Sequence, residues 1–276
     1  MKQKRSATWT SLDDLPAISY NPVSVIRNAL SLFLRQQPME AAVLLLTIVC
    51  YGGSIYLWWR WQTPIFLFSL IAGHIGAIAS PLWPLLYNEA YIADMTVFSS
   101  LAGIKLHQPV VIGSAWFYPL PALIVLALYR LRWWFSGYVM GLFTYIAFAF
   151  YHLLIEISGL NLGIWTYTKD AILPFGIENW ILSTLMAALI SFALLYLLLL
   201  IFRFSWSSML IMLLPAPLVF ILIVRGLLGA PLWISLMLDA QSWAAIIGIV
   251  CTLGLLAWAV HIVALGLSRV DREIVV

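Results

Sequence analysis

Long apolar runs separated by short polar breaks fill most of the chain. From Ala41 to Cys50 and from Ala193 to Phe202 nearly every position is apolar. A half-buried strand alternates, so runs that are apolar on all sides predict helices enclosed by other helices or by lipid. The pattern predicts spans over 40–59, 63–87, 110–129, 133–159, 177–201, 207–224 and 243–265, close to the ~20 residues that cross the hydrocarbon core of a bilayer. A transmembrane β-barrel would instead alternate in segments of about ten residues. The expected fold class is therefore all-α, a polytopic transmembrane helical bundle of about seven spans.

Breaks in the pattern organise the rest. Residues 1–21 read as a polar tail. Over 22–37, Val23, Ile26, Leu30 and Phe33 fall at helical spacing, with Arg27 and Arg35 available for head groups, which predicts an amphipathic helix lying at the interface. A single transmembrane domain follows over 38–267, and 268–276 form a polar C-terminal tail. Trp58, Trp59, Arg60 and Trp61 close the first span as an aromatic and basic anchor. Pro81 with Pro84, and Pro215 with Pro217, remove amide donors inside apolar runs and predict kinks or unwound turns. Gly229 and Pro231 predict a short interfacial helix over 226–239 rather than a full crossing.

Composition makes the membrane reading firm. Hydrophobic residues are 64% of the 276 and charged residues 9%, with a mean hydropathy of +1.02. No soluble domain of this length hides that much apolar surface. With seven crossings, Lys2, Lys4, Arg5, Arg27, Arg35, Lys105, Lys169 and Arg225 fall on the N-terminal side, and Arg60, Arg130, Arg132, Arg203, Arg269 and Arg272 on the other, eight against six. The excess places the N-terminus in the cytoplasm. A formal charge of +3 without a dense basic run excludes nucleic acid as a partner. Cys50 and Cys251 lie inside apolar segments as small hydrophobes.

Polar residues at the rims of the runs are the candidates for chemistry. Under this topology the 81–94 break, the end of the fourth span and the start of the fifth meet one membrane face. Glu89, His152, Glu156 and Glu178 gather there, with His152 and Glu156 four residues apart on one helical face and Tyr145 seven residues before His152. Ionisable groups at membrane depth are costly unless partnered, and they face the bundle interior or a cavity. A carboxylic acid kept protonated in such a setting can donate to an isoprenoid double bond, and a second carboxylate can activate water or remove a proton. Tyr151, Trp165 and Tyr167 can shield a cation with their ring faces. His74, Tyr87, Asn88 and Trp180 complete the expected substrate lining. The competing reading makes each acid a helix-end residue reaching for water, Glu178 favoured at a helix start by the backbone dipole.

No cofactor is expected, since the chain has no GxxxxGK[ST], GxGxxG or GxSxG. A metal on His152 and Glu156, joined by His74 or Glu89, is the weaker alternative, because no HExxH and no histidine cluster is present.

The stretch EISGLNLGIWTYTKDAILPFGIENW, residues 156–180, resembles the signature region of integral-membrane carotenoid-biosynthesis proteins of the hydratase type. Glu156, Gly159, Gly163, Trp165, Tyr167, Pro174 and Trp180 carry the resemblance. Membrane lycopene cyclases are similar over the same stretch, but Asn179 stands where their second paired acid would be. The resemblance implies an intramembrane enzyme that adds water to a terminal double bond of a polyene. Joined to the reading of the residues themselves, which alone supplies Tyr87, Asn88 and Glu89, it makes Glu156 the acid, Glu178 or Glu89 the complementary base or water-orienting group, and His152 a tuning partner. The implied partners are membrane lipid and a hydrophobic isoprenoid, with a second copy or another membrane enzyme able to join it. A cyclase-like isomerase, a small transporter and a noncatalytic subunit are the alternatives.

Overall fold

In a computed structural model, the backbone is described for residues 22–87, 89–91, 95–101, 104–167, 179–204, 209–237 and 242–270. Side chains are described from Glu40 onward, and Glu40–Val276 form one compact unit. The expected tail over 1–21, the side chains of the expected interfacial helix over 22–37, and the sites Asn88 and Glu178 lie outside the described residues.

The chain runs through α1 (Pro22–Trp61), α2 (Ile65–Gly76), α3 (Leu82–Tyr87), strand β1 (Glu89–Tyr91), the hairpin β2 (Val97–Leu101) and β3 (Ile104–His107), and α4 (Gln108–Phe117). It continues through α5 (Pro119–Arg130), α6 (Tyr138–Asn161), β4 (Trp165–Tyr167), α7 (Asn179–Phe204), α8 (Met209–Leu213), α9 (Ala216–Ile221), α10 (Ala230–Met237) and α11 (Ser242–Val270). The mainly helical expectation holds, with two small two-stranded sheets added to it among the described residues.

Among the described residues, five segments are long and apolar enough to cross a membrane: Glu40–Trp61, Gln108–Arg130, Tyr138–Asn161, Asn179–Arg203 and Trp243–Val270. A sixth is broken, Ala216–Leu228 and Ala230–Met237 meeting at 58°. The second expected span is represented by a shorter apolar helix, Ile65–Ala79. This is the architecture of a multi-span membrane protein, with five or six such spans where the sequence predicts about seven.

Helix α7 is the centre. Between its ends it is apolar apart from Ser183, Thr184 and Ser191, and Leu189, Ile190, Leu194 and Leu195 are fully buried, as expected of a helix surrounded by others. In α1, by contrast, Leu44, Leu45, Ile48 and Val49 are exposed, the face a span turns to lipid tails. At one end of the bundle Arg130 donates to the Trp61 carbonyl and lies 5.0 Å from the Trp61 ring and 5.4 Å from the Phe202 ring. That basic and aromatic cluster joins the ends of α1, α5 and α7.

Prolines set the breaks. A 3-10 turn at Ala77–Ala79 precedes Pro81, and α3 is only one and a half turns long. Pro215 separates α8 from α9. Pro119 interrupts the third expected span at Tyr118, so that span is two helices rather than one. Leu222–Leu228 form a π-helical segment, a widened geometry that often marks a functional position.

Candidate active site

The polar centre is assembled from α3, β1, α6, β4, α7 and the π segment. Strands β1 and β4 pair antiparallel, setting Glu89 opposite Tyr167 and Tyr91 opposite Trp165. This ladder joins the break after α3 to the turn after α6. Gly163 makes the turn with φ of 66°, a left-handed conformation that glycine adopts without penalty. Gly159 lies directly under Trp165, and a Cβ there would overlap the indole ring. The two glycines therefore let the chain fold back and lay Trp165 and Tyr167 on the end of α6.

Glu156 is buried, and its Oε1 accepts from Trp165 Nε1 at 3.0 Å and from the Tyr167 hydroxyl at 2.6 Å. Ser183 hydrogen-bonds in turn to the Tyr167 oxygen. Burial and the nearby carboxylates of Glu89 and Glu156 hold the Tyr167 hydroxyl well above its ordinary pKa, so it remains a donor. Glu89 is 8% exposed, with Oε2 at 3.8 Å from Arg225 Nη1. Burial pushes its carboxyl up from the usual range, while the Arg225 guanidinium and the Tyr91 hydroxyl pull the other way.

Arg225 was not foreseen in this role. The sequence pattern places it in a loop, but the structure buries it, 6% exposed. Its Nη2 donates to Ser183 Oγ at 2.9 Å, its guanidinium carbon lies 4.9 Å from the Trp83 ring centre, and its carbonyl accepts from the Tyr87 hydroxyl at 2.5 Å. Removing it from the surface count leaves seven basic residues against six, so the charge bias for orientation nearly vanishes. The available signal was a single charge between Val224 and Leu227, deep in an apolar run.

Other expected residues divide. His152 is buried between Phe117, Tyr118 and Tyr151, with Nε2 at 2.8 Å from Ser191 Oγ. Ser191 donates to the Tyr118 carbonyl at 2.9 Å, which leaves its oxygen to accept from Nε2 and makes His152 the Nε2–H tautomer. Tyr145 donates to the Leu185 carbonyl at 3.2 Å, and Trp180 is half-buried at the start of α7. His74 hydrogen-bonds the Val111 carbonyl at 2.7 Å and stacks on Tyr51, contacts that tie α2 to α4 and to α1. Asn179, the departure from the cyclase pattern, sits within reach of the Tyr87 carbonyl at 3.4 Å. Among the described residues no group of three or more His, Cys, Asp or Glu side chains is placed to hold a metal ion.

Fold and site together define a class: multi-span helical membrane proteins with a buried, charge-paired polar centre. No family model, curated protein or solved structure matches the chain.

Proposed function

We propose that this protein is an intramembrane carotenoid- or isoprenoid-processing enzyme that adds water to a terminal double bond by proton transfer. One observation carries the reading: the buried Glu156 carboxyl, hydrogen-bonded by Trp165 and Tyr167 beside the Glu89–Arg225 pair, in a largely apolar body. In this reading the Glu156 proton passes to the less substituted carbon of the alkene, and the π electrons form the new C–H bond. The more substituted carbon becomes a cation. Water adds to it through an oxygen lone pair, and the Glu89 carboxylate accepts the released proton, which returns to Glu156 to close the cycle. The sum is alkene plus water giving a tertiary alcohol, with no net oxidation. Ring faces of Trp165 and Tyr167 stabilise the cation by roughly 0.5–2 kcal/mol each.

Cyclisation begins with the same protonation and ends in proton loss, giving an isomer of unchanged mass. The bent Ala216–Met237 pair favours a second reading, a small transporter, since broken helices line transport sites. Expression in bacteria that accumulate acyclic polyenes separates these readings. A pigment heavier by one water with wild type, and none with Glu156→Gln at equal membrane abundance, supports hydration. An isomer of equal mass supports cyclisation, and unchanged polyenes across several chain lengths reject the enzyme.

A further inference from the structure

Among the described residues, two buried carboxyls lie in the field of one guanidinium, Glu89 in direct reach of it and Glu156 farther off, so this group of three is neutral when one of them holds a proton. Which of them holds it decides which is the acid. We propose that Arg225 is a positioning residue that keeps Glu89 ionised and, through Ser183 and Tyr167, fixes the proton on Oε2 of Glu156.

Two arms of the guanidinium carry this inference. Nη1 faces Glu89 Oε2 at 3.8 Å, which favours the charged form of that carboxyl. Nη2 donates to Ser183 Oγ at 2.9 Å. A guanidinium has only donors, so Ser183 must accept there and turns its own hydrogen to Tyr167, whose hydroxyl donates to Glu156 Oε1 at 2.6 Å. The direction of every bond in this chain is set at Arg225. Trp165 adds a second donor to the same oxygen. Oε1 is therefore the carbonyl-type oxygen, and Oε2 carries the hydrogen.

Arg225 itself is held independently of either acid, by the Trp83 ring and by the Tyr87 hydroxyl on its carbonyl. Among the described residues, the titratable groups around it are Tyr87 from α3, Glu89 and Tyr91 from β1, Tyr118 at the α4–α5 break, His152 and Glu156 from α6, and Tyr167 from β4. Glu89 and Glu156 are the acids among them. The address of the proton belongs to the folded protein, whereas its use in hydration rests on the function proposed above.

Infrared difference spectroscopy of the purified full chain in lipid nanodiscs, exchanged between light and heavy water, reads the protonated carboxyl without substrate. The expected result is one deuterium-sensitive carboxyl band that moves to higher frequency in Tyr167→Phe, which removes a donor from Glu156 Oε1, and stays in place in Tyr91→Phe, which removes the donor to Glu89. Arg225→Gln should roughly double the band, since both buried acids then stay neutral, and Arg225→Lys should restore a single band. A band that follows Tyr91→Phe instead, or no such band in wild type, overturns the proposal. Both tyrosine variants leave the charge unchanged, so the test stands even where Arg225→Gln does not fold. A proton found on Glu156 in a protein that converts no polyene keeps this inference and removes the hydration reading.

Discussion

Trp165 and Tyr167 hold Glu156 from one side with two hydrogen bonds to a single oxygen. Trp165→Phe keeps an aromatic ring but removes the indole N–H and part of the ring, so it should cost about 1 kcal/mol of stability or more and lower conversion more than it lowers membrane abundance. Denaturant unfolding in detergent and product yield per folded protein check the two halves. His152 should show the neutral Nε2–H tautomer in nitrogen NMR of the labelled protein, and Ser191→Ala should shift that signal. An Nδ1–H signal would contradict the Ser191 geometry. Glu156, Trp165 and Tyr167 were legible because a helix-ending glutamate with spaced glycines and aromatics forms a local pattern. Glu89 was legible because two prolines break the run before it. Arg225 was not, because its partners Glu89 and Ser183 are distant in sequence and a charge count alone treats it as a surface residue.

At the scale of elements, the glycines explain how the site closes. Gly159→Ala drives a methyl into the Trp165 ring, so it should lower thermal stability and abolish conversion together. Gly226→Ala, where an added Cβ meets nothing within 4 Å, is the matched control and should change neither. Gly229→Ala should behave like Gly159→Ala, because its Cβ would overlap the Tyr87 hydroxyl that clamps the Arg225 carbonyl. Comparing melting temperatures and product yields across the three variants tests this. The proline breaks were predictable from backbone chemistry, since an imide cannot donate. The β1–β4 ladder was not, because three-residue strands carry too little alternation to read and they pair residues far apart in sequence, Tyr91 with Trp165 and Glu89 with Tyr167.

For the whole molecule, apolar composition made the bundle legible, while proline-broken helices blurred the number of crossings. Phe202 of α7 lies over Arg130 at the end of α5, Gly266 packs against Tyr196, and Gly248 packs against Ser235. α11 therefore begins near α10 and ends near the Arg130 end, the arrangement expected where the bent Ala216–Met237 pair crosses once. Cysteines introduced at Leu131 and Trp243, both exposed, should then react with an impermeant thiol reagent from opposite sides of sealed vesicles. Labelling from one side would make the bent pair a re-entrant loop. The central claim is that Glu156 hands a proton to a double bond and water completes the addition. The most direct measurement is turnover of an acyclic polyene by the protein in nanodiscs made up in heavy-oxygen water. Wild type should yield a tertiary alcohol carrying the heavy oxygen, and Glu156→Gln should fall by roughly 100-fold or more; an unlabelled product, or equal turnover by the variant, would contradict the account.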